Sequence, residues 1–331
     1  MDLRENVLKT IKNDKPEAFV NEWEPFRQVF DPILGKIFNA IPGKQIKDYW
    51  GVTVFWGENE PGPMPIINEE TKVCPDITEW KKYVKAPDIA NYEYDWEPVK
   101  EEARKIHEEG KYVMALMATG LFEQCHYLMG FEDTLVNLLM EPESMHELIE
   151  YITEYKLTYL QLLIDNLQPD VIMFHDDWGS KRSLFMNPNT WREFFKEPYR
   201  RIYGKMKENN IIAMHHADSY CQPIVKDMVD VGIDIWQGVL PENDIQQIKK
   251  DTDYKLTLMG GIDASVVDKL NIDEDVVRKE VQRACEEYSE GGMYIPCLTY
   301  GGEGSIFPGV NDIIMDEINK LNEKYFSVKC N

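Results

Sequence analysis

The chain has 331 residues, 43% of them hydrophobic, and a formal net charge of −23. Enough apolar material is present for a sizeable core, which excludes disorder as the default state. The acidic balance excludes nucleic acid and anionic membrane surfaces as expected partners, since no basic surface exists to displace their counterions.

The opening "MDLRENVLKTIKNDKPEAF" has no apolar h-region, so no secretory signal is expected. No run of 18 apolar residues occurs, so no transmembrane helix is expected. Cys74, Cys125, Cys221, Cys285, Cys297 and Cys330 form no CxxC pair, and with 15 Met they fit a reducing cytoplasm. The first 100 or so residues are rich in Pro, Trp and acidic side chains, and 57–70 reads as an irregular loop. No linker divides the chain, so residues 1–331 are expected to form one domain, with 1–100 supplying an extension and the first elements of the sheet.

From residue 97 the pattern becomes regular. A helix over 97–110 closes at Gly110. An apolar strand follows over 111–120. The segment 141–167 repeats apolar residues at helical spacing after Pro142. Next come a strand (170–179), a helix (187–210), a strand (211–218), a helix (222–232) and a strand (233–238). A helix (244–252), a strand (255–263), a helix (271–292) and a strand (293–302) complete the series. Strand and helix alternate, and the strands are continuous apolar runs, as expected for a parallel sheet covered on both faces. The fold class read from this is α/β, a (β/α)8 TIM barrel. A doubly wound open sheet is the alternative, without a GxGxxG turn to support it.

Each strand turns polar at its C-terminal end. Glu123 follows the first regular strand; His175, Asp176 and Asp177 end the next. "IIAM" leads into His215, His216 and Asp218. Gln237, then Gly260, Gly261 and Asp263, then Cys297, Thr299 and Tyr300 end the others. A barrel gathers these ends on one face, where active sites form. His216 and Asp218 are two apart, so both can point to one side of an extended strand end. With Cys297 from the last strand they make a three-ligand set for a catalytic Zn²⁺ site, though a lone Cys at a strand end also serves as a small buried hydrophobe. His215 should face the opposite side. His175, Asp176 and Asp177 are read as pocket residues, a substrate anchor or general acid, or alternatively as a helix cap and loop ion pair. Glu123 either reaches the pocket or is a first-turn acid favoured by the helix dipole. Asp263 reads as a turn or cap residue. Trp56 and Trp178 either wall a pocket or belong to the core.

The stretches "TGLFEQCHYLMGFEDTL", "VIMFHDDWGSKRSLFMNPNTWREFFKEPYRRI", "HHADSYCQPIVKDMVDVGIDIWQ", "LMGGIDAS" and "YIPCLTYGGEGSIFPGV" resemble the uroporphyrinogen decarboxylase superfamily, in particular its corrinoid-linked methyltransferase branch. The resemblance implies a (β/α)8 barrel with its pocket at the strand C-termini. True decarboxylases of the family carry an Arg-rich N-terminal segment suited to a polycarboxylate substrate. Here the first 100 residues hold only Arg4 and Arg27. The methyltransferase branch binds Zn²⁺ through a His-x-Cys pair and a later Cys, matched by His216 and Cys297, with Asp218 standing where the family has Cys. A carboxylate in place of a thiolate makes a harder site. The resemblance implies a methyltransferase that takes a methyl group from a small methylated substrate, a methyl ether before a methylamine or thiol. The acceptor would be a corrinoid (cobalamin) on a separate small protein. Asp176, Asp177 and Glu123 would then be catalytic, and His175, Trp178, Gln237, Tyr300 and Trp56 substrate-binding. A cofactor-free decarboxylase and a non-enzymatic binder of a methylated or corrinoid compound are the alternatives. The oligomeric state is open, a homodimer included.

Overall fold

The computed structural model describes residues 2–37, 40–58, 62–299 and 305–326. Its strands, in chain order, are β1 (Phe26–Val29), β2 (Gln45–Lys47), β3 (Thr53–Phe55), β4 (Met64–Pro65), β5 (Tyr112–Met117), β6 (Val171–His175), β7 (Ile212–His216), β8 (Ile235–Val239), β9 (Thr257–Gly261) and β10 (Tyr294–Cys297). Seven of them form one parallel sheet in the order β1-β5-β6-β7-β8-β9-β10. Every strand after β1 lies beside its predecessor in the sheet, with helices between them, as the alternating pattern requires.

The sheet curls upon itself. Phe26, Met114, Val171, Met214, Ile235, Met259 and Ile295, one residue from each of the seven strands, are buried in a single apolar cluster. A flat sheet of seven strands would hold its edge strands roughly 29 Å apart, too far for the bridge that links them here. The seam between β1 and β10 is bridged by side chains: the Leu298 amide donates to Glu22 Oε1 at 3.1 Å. The helix Val310–Phe326 packs along the same seam, where Asn322 accepts from the Phe19 amide at 2.7 Å and donates to the Phe19 carbonyl at 3.1 Å. No eighth parallel strand, and no backbone pairing of β10 with β1, occurs among the described residues. Among the described residues the sheet is thus a curled one of seven strands, and the expected eighth strand is not among them.

The N-terminal third departs most from expectation. Only β1 joins the barrel sheet, paired with β5 from Phe26↔Tyr112 to Val29↔Ala115. A separate antiparallel sheet, β2-β3-β4, follows, and β4 lies inside the stretch read as loop. Between β5 and β6, two helices, Leu121–Met129 and Phe131–Met140, precede the long helix Pro142–Asn166. They are joined by Gly130 at φ +99, a conformation that favours glycine. The helix read over 187–210 contains a wider π turn, Arg192–Lys196, just before Pro198. Proline has no N–H to donate back to residue 194, so the local bonding pattern must widen or break. Among the described residues no helix is long and apolar enough to cross a membrane.

Met214 lies fully buried in the barrel interior. Met214→Ala should lower unfolding stability by about 2–5 kcal/mol through lost burial and the cavity left behind, measured by urea denaturation.

Candidate active site and metal centre

The parallel register aligns the ends of three neighbouring strands: His175 of β6 pairs with His216 of β7, and His216 with Gln237 of β8. Side chains alternate along each strand end. In β6, His175 and Asp177 turn to the mouth of the barrel, while Asp176 turns outward into the helix layer. In β7, His216 and Asp218 face the mouth and His215 faces out.

The outward residues are packing and anchoring groups. His215 is fully buried; its Nδ1 lies 2.6 Å from the Tyr203 hydroxyl, and its ring stacks on Trp178 at 3.9 Å. Asp176, also fully buried, accepts from the amides of Phe122 (3.0 Å) and Glu123 (2.8 Å), from Trp178 Nε1 (3.0 Å) and from the Tyr199 hydroxyl. This carboxylate caps the N-terminus of Leu121–Met129 from another strand. Burial pushes its pKa up to about 7, with the Glu123 charge adding to the effect. The packing leaves no room for a side chain at Gly120, where a Cβ would fall 2.0 Å from Asp176 Cβ. Asp176 therefore fixes where Glu123 sits.

Glu123, buried, accepts from His175 Nδ1 at 2.9 Å. Burial disfavours the imidazolium, but the Glu123 carboxylate outweighs it and holds the His175 pKa at about 10. Glu123 is pulled the other way: burial would raise its pKa, but the His175 charge leaves it below the usual value. The result is an ion pair between the buried Glu123 and the half-buried His175, which faces the barrel mouth.

The His216 ring lies parallel to the His175 ring, with centroids 4.5 Å apart and planes at 20°. Burial, then the adjacent His175 charge, lowers the His216 pKa to about 4, so this ring is neutral. Its tautomer follows from its neighbours. Gln237 Nε2 donates to the Thr299 carbonyl at 2.9 Å, which fixes the amide orientation, and Gln237 Oε1 therefore accepts from His216 Nδ1–H. His216 Nε2 keeps its lone pair, as a metal ligand requires.

Two groups of ligand-type atoms lie within 4.8 Å of one another: Glu123, His175 and Asp177, and Asp177, His216 and Asp218. The second fits a divalent cation better. It offers a neutral imidazole and two carboxylates, whereas His175 in the first is protonated. Burial raises the pKa of Asp218, and repulsion from Asp177 raises it further. A cation between them would relieve that repulsion. Cys297 belongs to neither group. Its thiol is buried in the apolar cluster of the barrel interior and donates to the Leu298 carbonyl at 2.8 Å.

Beside the cluster lies a cavity of about 380 Å³, walled by Trp23, Phe26, Gln28, Met114, Leu116 and Met173, with His175, His216, Gln237 and Thr299 at its polar end. This is within the ordinary size of a small-molecule site. Trp178 lies behind the strand ends, fully buried. Trp56 is half-buried beyond β3 and is not on the cavity wall. Tyr300 lies outside the described residues. Asp263 accepts from the Ser265 amide at 2.9 Å as a cap, as its spacing suggested. Trp23 and Gln28 escaped the sequence reading, because β1, at four residues, is too short to show a period.

Residues 47–309 match the family described as uroporphyrinogen decarboxylase (URO-D). The chain belongs to the uroporphyrinogen decarboxylase family. No curated protein matches the sequence. Among solved structures, a methyltransferase from Methanosarcina mazei is similar over 97% of this chain and 99% of its own, at 15% identity and a TM-score of 0.70. A GH113 beta-1,4-mannanase (11% identity, 68% of this chain and 79% of its own, TM-score 0.37) and a rutinosidase from Aspergillus niger (11%, 72% and 76%, 0.35) are far weaker matches. At 15% identity the first likeness is one of fold, and it agrees with the family assignment.

The pKa of Asp177 is pushed up from 3.8 to about 6, chiefly by burial. The folded chain thus holds this proton more tightly than the unfolded chain. The contribution favours folding at low pH and is lost as pH rises from about 4 through 6. In metal-free protein, Asp177→Asn, which keeps an oxygen to accept from the Asp218 amide (3.0 Å in the wild type), should therefore raise Tm above pH 6. The difference should vanish near pH 4 in thermal scans across that range.

Proposed function

We propose that this protein is a zinc-dependent methyltransferase that removes a methyl group from a small methylated substrate, a methyl ether in the first instance, and delivers it to a corrinoid on a separate protein. The observation that carries the reading is the cluster of Asp177, His216 and Asp218 at the mouth of an apolar cavity, in a chain of the uroporphyrinogen decarboxylase family. His216 and Asp218 are the proposed common ligands, through Nε2 and a carboxylate oxygen. Asp177 is the third ligand that the geometry favours, and Cys297 is the competing assignment. The whole chain is taken as one barrel domain, closed by an eighth strand, with residues 1–100 as its extension, working in the cytoplasm.

Bound zinc would act as a Lewis acid on the heteroatom that carries the methyl group. The residues supply the rest. The apolar walls, Phe26, Met114, Leu116 and Met173, take the carbon skeleton and exclude water. His175, held protonated by Glu123, presents its Nε2–H toward the leaving heteroatom and gives it a proton as the methyl group departs. Gln237 keeps His216 in the ligating tautomer. Asp176 positions Glu123 and does not itself touch the substrate.

A porphyrinogen decarboxylase reading lacks its usual support. Arg4 pairs with Asp170 at 2.7 Å, and Arg27 donates to the backbone carbonyls of Trp23, Glu24 and Phe26. No arginine or lysine is among the described residues lining the cavity.

Two measurements test the proposal. Zinc content should fall at least tenfold in His216→Ala and Asp218→Asn. Loss in Asp177→Asn with retention in Cys297→Ser assigns the third ligand to Asp177, and the reverse assigns it to Cys297. Incubation with cobalt(I) cobalamin and a panel of methoxy-aromatics, methylamines and methyl thioethers should produce methylcobalamin absorbance, reduced at least 100-fold in His175→Ala. Porphyrinogen decarboxylation without methyl transfer, or full activity after chelation, overturns it.

A further inference from the structure

A second, recessed cavity of about 40 Å³ lies outside the barrel, behind the turn that carries Glu123. It is enclosed by Thr119 of the turn after β5, by Gln124 of Leu121–Met129, by Tyr155 and Lys156 of Pro142–Asn166, and by Trp50 and Val54 around β3. In this measure of volume one water needs about 10–15 Å³, so the space holds roughly three water-sized groups.

Its polar groups are donors in want of acceptors. Lys156 is 1% exposed, yet it forms no ion pair among the described residues, and its Nζ reaches a single acceptor, the Ala118 carbonyl, at 3.4 Å. A buried ammonium so sparsely bonded is costly. Burial lowers its pKa to about 8, although the more distant charges of Asp176 and Glu123 oppose this. The Tyr155 hydroxyl is buried without a hydrogen-bond partner. Its ring packs edge-on to Trp50 at 4.9 Å, and an indole offers only a further donor. Gln124 Oε1 is occupied by the Thr119 hydroxyl at 2.7 Å, which leaves its amide nitrogen as a third donor. Asp48, also on the wall, has Oδ1 committed to the amides of Trp50 and Val52, each at 2.8 Å. With one cation, and with the Asp48 carboxylate on the same wall, the cavity admits at most a small monoanion, bound at the Lys156 side, and disfavours a multiply charged one.

We propose that this cavity is a binding site for a small carboxylate anion of formate to acetate size. The carboxylate is held by Lys156 Nζ and the Tyr155 hydroxyl, and its carbon lies against Trp50 and Val54. Such a ligand would tie the antiparallel sheet and the long helix to the turn that mounts Glu123, so occupancy would stiffen one wall of the main site. The proposal stands apart from the methyl-transfer reading, because it uses none of the residues assigned to metal or substrate.

The test is saturation-transfer NMR on acetate with the full chain at pH 7. Wild type should show transfer to the acetate methyl group. Lys156→Met should weaken acetate binding at least tenfold and Tyr155→Phe several-fold, while His216→Ala leaves it unchanged. No transfer to wild type, or equal affinity in Lys156→Met, overturns the site. Signal lost in His216→Ala but kept in Lys156→Met places acetate at the histidine cluster and also overturns it. If Lys156→Met does not fold, unchanged affinity in Tyr155→Phe is decisive against the proposal.

Discussion

The parallel register of β6, β7 and β8 is the constraint on which the site depends. His175, His216 and Gln237 are neighbours because their strands pair residue for residue at the C-terminal ends. A slip of one residue would reverse every side chain, sending His215 into the mouth and His216 into the helix layer. Burial of both faces resists that slip. On the outer side Trp178, Tyr199 and Tyr203 surround His215, and on the inner side Met214 packs with residues from all the other strands of the sheet.

The electrostatics follow from that register. One histidine meets a buried carboxylate and stays charged; the next, stacked on it, is driven neutral. Two chemically identical side chains thereby differ in charge, as the proposed roles of proton donor and lone-pair ligand require. Glu123 reaches His175 only because Asp176, on the outer face of the same strand end, collects four donors and holds the start of Leu121–Met129 in place. Structure and chemistry are thus coupled across a single residue step.

Much of this was legible in the chain itself. Apolar runs of strand length, separated by helical periodicity, marked the parallel sheet, and their polar C-terminal ends marked the face of the site. The alternation rule correctly turned His215 outward. The same rule, applied to His175, Asp176 and Asp177, separates the two aspartates, although as adjacent acids they read as a pair. The N-terminal third was least legible. Its strands have two to four residues, too few to show a period, and the antiparallel sheet β2-β3-β4 packs on residues distant in sequence, with Trp50 beside β3 edge-on to Tyr155.

The sequence by itself determined the α/β class, the order of the strands after β5 and the gathering of His, Asp and Glu at one end of the sheet. These depend on local periodicity and on connection rules that any parallel sheet obeys. Only the tertiary structure decided which of those residues meet. Asp177 joins His216 and Asp218, and the Cys297 thiol turns into the apolar interior. The curled sheet shows seven parallel strands among the described residues. Such choices depend on how far each strand end is displaced around the curl and on which side chain alternation turns inward, and spacing along the chain does not carry those distances.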